Sequence, residues 1–372
     1  MKLLFLLLAL PLFCFGQNVN IPDANFKAYL VGNISINTNG DNQIQVSEAS
    51  AFNGEIYCVY QNIYNLTGIE AFVSLTSLNC SYCPLTSLDV STCTALIDLT
   101  CGGSQLTSLD VSTCSALTSL NCSYSPLTSL DASNCSALTN LYCDYNQLTS
   151  LDVSNCSALT VLGCTNNLLT SLDLSACTAL TELYGGNNAL TSLDLSNNTA
   201  LTSLGCSGSS LTSLDVSGCT TLYYLSCSGN NLTSLDVKNG NNINMVYFNA
   251  EVNPNLSCIE VDNVAFSNAN WSDDIDATAS FSLNCSGAGF SDINESYSLM
   301  LYPNPTNGDF TITGLELLGI VSSLSLTDMN GKVVKVLDTK ATKFSMGSIK
   351  PGVYFLNIIS GNKQEVLKIV KE

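Results

Sequence analysis

Leu85-Thr86-Ser87-Leu88-Asp89 returns unchanged at Leu106, Leu127, Leu148, Leu169, Leu190, Leu211 and Leu232, 21 residues on each time. A fixed period of this length means one supersecondary unit stacked on copies of itself, each too small to bury its own apolar face. The array is therefore the fold. Within one period the apolar positions run Leu75, Leu78, Cys80, Cys83, Leu85 and Leu88; a later copy reads Leu138, Leu141, Cys143, Asn146, Leu148. The L-x-x-L-x-L segment of each copy is predicted to be a strand of a parallel sheet, with Leu78 and Cys80, Leu99 and Cys101, and Leu120 and Cys122 turned into the core.

This pattern, L-x-x-L-x-L-x-x-N-x-L with cysteine at the third leucine, resembles the leucine-rich repeat family in a short bacterial LTSLDVS form. Eight near-perfect copies carry the resemblance, from Ile56 to about Ala250. It implies a repeat solenoid of strand and coil with a parallel β-sheet on its concave face.

Outward from the array, residues 1–16 hold Lys2, an apolar run to Phe15 and Gly16, the pattern of a secretory signal peptide. Residues 17–55 form an N-terminal cap. It opens on an amphipathic helix from Ile21, with Pro22 just inside its start and Phe26 and Leu30 on one face. Asn37, Asn39, Asp41, Gln43, Gln45 and Glu48 then stand at positions 1, 3, 5, 7, 9 and 12 of a loop with EF-hand spacing, and calcium takes six to eight such oxygens. Asn37 in place of Asp, and Asn42 where the sharp turn takes Gly, leave a plain polar turn as the other reading. The array occupies 56–257. Residues 258–290, with Trp271, Phe281 and Cys285, read as a C-terminal cap and linker.

Residues 291–372 change character: short strands, the Asn330-Gly331 hairpin signal and eight of the eleven lysines. Tyr302-Pro-Asn-Pro-Thr-Asn-Gly308, Asp328-Met-Asn-Gly-Lys332 and Lys350-Pro-Gly-Val-Tyr-Phe355 closely resemble the type A sorting domain of type IX secretion in Gram-negative bacteria. The resemblance implies a small all-β, immunoglobulin-like sandwich whose motif includes Pro303, Pro305, Gly308, Gly352 and Tyr354. It also implies recognition by the type IX machinery and delivery to the outer cell surface or the medium.

Composition narrows the function. Net charge is −19, Arg and His are absent, and residues 28–237 contain no Lys. A phosphate-binding groove is therefore impossible across the array, so nucleic acid is not an expected partner. The usual general base and commonest zinc ligand are missing too, and enzymatic activity is not expected. After residue 16 no run is apolar enough to span a bilayer.

Sixteen of the eighteen cysteines lie between Cys58 and Cys258, most in two 21-residue ladders. Stacked strands hold equivalent Cβ atoms about 4.8 Å apart and parallel, whereas a disulfide wants about 3.8 Å and a twisted approach. The ladders are thus expected to be buried thiols, and Cys258 with Cys285 the disulfide. A carboxylate ladder, Asp89 to Asp236, has each Asp two residues before a Ser or Lys, which suits an Asx-turn; rows of bound cations are the alternative.

The expected function is recognition of an extracellular protein or glycan by the concave face. Asn140, Tyr142, Asp144, Glu182, Tyr184 and Tyr224 are the candidate anchors, because they bring rings and carboxylates to a Ser/Thr/Gly surface; the alternative for these tyrosines is that they merely fit a strand. The rival reading of the chain is a calcium-stabilised structural component of the cell surface or biofilm.

Overall fold

The computed structural model describes residues 16–285, 299–313, 315, 321–329, 331–360 and 363–372. Met1–Phe15, nearly all of the expected signal peptide, and Asn330 lie outside them. The chain divides into two compact units, Met1–Gly287 and Ala288–Glu372.

The first unit opens with helix α1, Ala24–Gly32, which buries Phe26 and Leu30. Pro22, expected inside the helix, precedes it. The carboxylate of Asp23 accepts the Asn25 and Phe26 N–H groups and so sets the start one residue after itself. A second helix, α2, Val46–Ala51, follows the polar loop.

Ten three-residue strands then stack in one parallel sheet, from Glu55–Tyr57 through Ser77–Asn79, Asp98–Thr100, Ser119–Asn121 and Asn140–Tyr142 to Tyr247–Asn249. Leu78 faces Leu99, Leu99 faces Leu120, and Leu120 faces Leu141, all fully buried. Each such leucine stabilises by about 1.5–3 kcal/mol through burial. The period is thereby converted into a register.

The repeated Leu-Thr-Ser-Leu-Asp stretch does more than leave the strand, which is all that its spacing suggested. Ser129–Asp131 pairs with Ser150–Asp152, and Ser213–Asp215, Ser234–Asp236, Cys258–Glu260 and Ser280–Ser282 form a further parallel sheet. That row continues into the segment expected to cap the array. Beyond helix α3, Val264–Asn270, the Trp271 ring stacks on Phe248 at 4.6 Å and meets Phe281 at 6.0 Å. Cys258 and Cys285 are joined by a disulfide with Cα atoms 5.8 Å apart. The apolar end of the stack is closed by rings and a covalent tie.

Between the faces, asparagine side chains bind coil to coil. Asn167 donates to the Cys143 and Cys164 carbonyls and accepts the Leu148 N–H, each at 3.0 Å; Asn146, Asn188 and Asn230 repeat this. Fifteen cysteines among the described residues are free and buried. Several thiols donate to a carbonyl of a neighbouring coil, as Cys143 does to Gly163 at 3.3 Å.

The second unit has two antiparallel sheets. One holds Met300–Tyr302, Asp309–Thr313 and Lys343–Ser345. The other holds Val333–Val336, Val321–Thr327, Gly352–Ser360 and Lys363–Lys371. Phe310, Ile312 and Phe344 from the first share a core with Leu324, Leu356 and Ile369 from the second.

Candidate functional site

Side chains alternate along a strand, so every three-residue strand of the ten-stranded sheet turns its first and third residues to the face opposite its buried middle residue. Coil after coil these make rows. The first contains Asp98, Ser119, Asn140, Val161, Glu182, Ser203 and Tyr224; the second contains Thr100, Asn121, Tyr142, Gly163, Tyr184 and Gly205. The six candidate anchors all lie on this face. Tyr142 and Tyr184 flank Gly163, the Tyr184 hydroxyl donates to Glu182 at 2.9 Å, and the Tyr224 ring stacks on Tyr247 at 4.5 Å.

Asp144 lies two residues beyond the strand, half-buried. It accepts the Thr165 N–H at 2.8 Å, yet desolvation outweighs that bond and raises its carboxyl above the ordinary range.

Next to this position runs a row that strand alternation does not reveal. Tyr60, Tyr82, Gly103, Tyr124, Tyr145, Asn166, Asn187, Gly208, Gly229 and Val252 all have positive φ, between 51° and 69°. The cause is coil stacking. The N–H of each of the first nine donates to a carbonyl of the next coil, as Tyr82 does to Gly102 at 2.9 Å, Gly103 to Ser123 at 2.8 Å and Tyr124 to Asp144 at 2.9 Å, and that of Val252 donates to the Asp276 carboxylate at 3.0 Å. Glycine and asparagine suit that conformation; tyrosine and valine are strained in it. Tyr60 stacks on Tyr82 and Tyr124 on Tyr145, each pair with centroids 4.6 Å apart.

Gly103 separates the two pairs. A cleft of about 250 Å³ opens there, lined by Tyr82, Gly103, Tyr124, Asn121, Tyr142 and Asp144 among others. The signal for this row was present in the sequence as glycines and asparagines alternating with tyrosines at one repeat position.

The polar loop is closed on its own donors. Glu48 accepts from the Thr38 N–H at 2.8 Å, the Asn39 N–H at 3.1 Å and the Gln45 N–H at 3.0 Å. Burial raises its carboxyl, but these bonds prevail and hold it below the usual range. Asp41 accepts from Gln43, Asn39 and Gln45. Asn37 donates to the Val31 and Asp41 carbonyls, which leaves its buried Oδ1 without a partner. Calcium would gain that oxygen and the two carboxylates, and would require the Asn39 and Gln45 amides to turn over. Among the described residues no three His, Cys, Asp or Glu side chains converge as for a metal.

In the carboxylate ladder each Asp accepts the N–H two residues on, Asp89 from Ser91 and Asp110 from Ser112 at 2.9 Å. Hydrogen bonds from Ser91 and Ser112 hold both carboxyls low.

In the second unit, the segment Pro303–Gly308 is stitched to the last strand. Asn304 donates to the Lys368 carbonyl at 2.8 Å and accepts the Val370 N–H at 2.9 Å, while Thr306 N–H donates to Val370. The Tyr354 hydroxyl donates to Lys350 at 2.8 Å, and Gly352 holds φ 158°. Residues 300–372 match the family model described as a secretion system C-terminal sorting domain. This tail is a type IX sorting domain. The sorting domain marks the chain for export by type IX secretion to the cell surface or beyond, and no helix of the described residues is long and apolar enough to cross a membrane.

Among solved structures, the chain is similar to the functional domain of InlJ from Listeria monocytogenes, described as including a cysteine ladder. The two share 23% identity over 96% of this chain and 99% of that one, with a TM-score of 0.49. The chain is also similar to internalin C2 of Listeria monocytogenes, at 18% identity over 66% and 97% of the two chains with a TM-score of 0.46. A leucine-rich repeat protein of Leptospira interrogans matches at 16% identity over 58% and 75%, TM-score 0.46. No curated protein matches by sequence.

Proposed function

We propose that this exported leucine-rich repeat protein is a non-enzymatic recognition module whose ten-stranded face binds an extracellular protein or glycan. The observation that carries the reading is the chemistry of that face: three outward tyrosines, Tyr142, Tyr184 and Tyr224, share it with the carboxylates of Asp144 and Glu182 on a floor of small polar residues. Tyrosine offers contact area and a hydrogen-bonding tip at low entropic cost. The test is capture of the full chain on arrays of matrix proteins and surface glycans, beside a Tyr142→Ala, Tyr184→Ala variant. A saturable hit lost in the variant supports recognition by this face; a hit retained by it sends the ligand elsewhere.

A second reading, a calcium-stabilised structural component, rests on the unpartnered Asn37 Oδ1 inside a loop of oxygens. A melting temperature raised by calcium and not by magnesium would favour it, and Glu48→Gln would abolish that increment.

A further inference from the structure

Cys83 stands in neither thiol ladder. At later steps of the 21-residue period its place is held by Asn146, Asn167, Asn188 and Asn230, the side chains that tie coil to coil. An amide there donates twice and accepts once, whereas a thiol offers one weak donor and one weak acceptor. Cysteine is a poor substitute for that tie, and what it touches is another cysteine.

The contact follows from a turn of the chain. Tyr57 pairs with Asn79, so Cys58 and Cys80 follow side by side as the first rung of a ladder. Tyr82 then takes a left-handed φ of 55°, and the Cys83 N–H returns to the Cys80 carbonyl at 3.4 Å. Cys83 therefore re-enters the core across the line of the ladder, not along it, which is the twisted approach that parallel rungs lack. Its thiol donates to the Cys58 carbonyl at 3.1 Å, and the two cysteine side chains are hydrogen-bonded to each other. Ladder thiols donate instead to carbonyls, as Cys80 does to Thr100 at 3.7 Å.

The two sulfurs differ in character. The Cys58 thiol, with the N–H groups of Gln61 and Ile63, holds Cys83 down at about 6 against its burial; the same bond and burial push Cys58 far up. One sulfur is thus a thiolate at neutral pH, and its partner carries a proton beside it. The pair joins the first two coils across 25 residues. At the other end of the array Cys258 and Cys285 are already joined across 27. An outermost coil has another coil on one side only, so the ends are where a stack opens first and where a cross-link holds most.

We propose that Cys58 and Cys83 form a second disulfide in the exported protein, sealing the N-terminal end of the stack as Cys258 and Cys285 seal the other. The oxidant is a thiol-exchanging disulfide of an oxidising compartment. The Cys83 thiolate attacks one of its sulfurs and expels the other as a thiolate; Cys58 then attacks the Cys83 sulfur of the mixed disulfide and passes its proton to the second departing sulfur. The pair gives up two electrons and one proton, and the oxidant leaves as one thiolate and one thiol. Both sulfurs are buried in the finished fold, so the exchange takes place as these two coils close.

The test recovers the full chain from an oxidising bacterial periplasm, alkylates it in mildly acidic denaturant without reductant, and identifies the peptic peptides by mass spectrometry. The expected result is a peptide pair linking Cys58 to Cys83 in most molecules, with Cys101, Cys122 and Cys143 alkylated. Alkylation of both Cys58 and Cys83, or a bond from Cys83 to Cys80, would overturn the proposal. Dithiothreitol should also lower the urea midpoint of the wild type further than that of Cys83→Asn, which restores the ladder residue and keeps only the C-terminal bond. Cys58→Ala gives the same readout should the asparagine variant fail to fold, and equal shifts in wild type and variant would remove the N-terminal seal.

Discussion

One residue shows how the coils are tied together. Ser209 occupies the place held by Asn188 and Asn230 in the neighbouring coils, and its buried hydroxyl has no partner. Asparagine there would offer an acceptor to the Leu190 N–H, as Asn188 does for Leu169 and Asn230 for Leu211, and donors to two carbonyls. Ser209→Asn is expected to stabilise the array by about 1 kcal/mol, the net worth of one or two buried hydrogen bonds. The reverse change, Asn167→Ala, strands a buried N–H and two carbonyls and should cost about 2–3 kcal/mol. Urea unfolding of both variants measures the difference; an unaltered midpoint in Asn167→Ala would remove the asparagine ladder from the account of stability.

At the scale of the element, the thiol ladders set an alkaline limit. Burial pushes Cys101, Cys164 and Cys206 up to about 12 and Cys93, Cys156 and Cys177 up to about 11. An unfolded thiol ionises near 8.5, so above that pH the unfolded chain binds fewer protons and stability falls as pH rises. Each such thiol loses about 0.8 kcal/mol by pH 9, and about a dozen of them lose about 10 kcal/mol, the size of a whole domain's stability. Cooperative unfolding is therefore expected near pH 9, and circular dichroism against pH would reveal it; an array still folded at pH 10.5 would contradict the buried protonated thiols. The inward register of Leu78, Leu99 and Leu120 was legible in the sequence, because apolar period and strand alternation coincide there. The second row of strands was not, since three residues such as Ser129–Asp131 carry too little alternation to distinguish a strand from a turn. Tyr82 and Tyr124 escaped for another reason: their conformation is imposed by a hydrogen bond to the next coil, which only the glycines and asparagines at the equivalent place, Gly103, Asn166, Asn187, Gly208 and Gly229, betray.

For the whole molecule, charge is the dominant global property. Thirty acidic residues face eleven lysines, eight of which lie after residue 330. The carboxylates of the Asp ladder recur at each coil, about 5 Å apart, well within the ~10 Å screening length of 0.1 M salt. Raising ionic strength from about 0.01 to 0.5 M should therefore raise the melting temperature. An unchanged or lower value would mean that local hydrogen bonds such as Ser91 to Asp89 already cancel the repulsion. The coil spacing carries one more consequence, for the journey out of the cell. Each turn touches mainly the turn 21 residues away, so the stack can nucleate locally and zip up coil by coil. Thiol oxidation and reshuffling take seconds to hours. In an oxidising compartment the two processes race for the same sulfur atoms, and rapid zippering seals the ladders before scrambled bridges can form, leaving Cys258 and Cys285 at the rim to find each other.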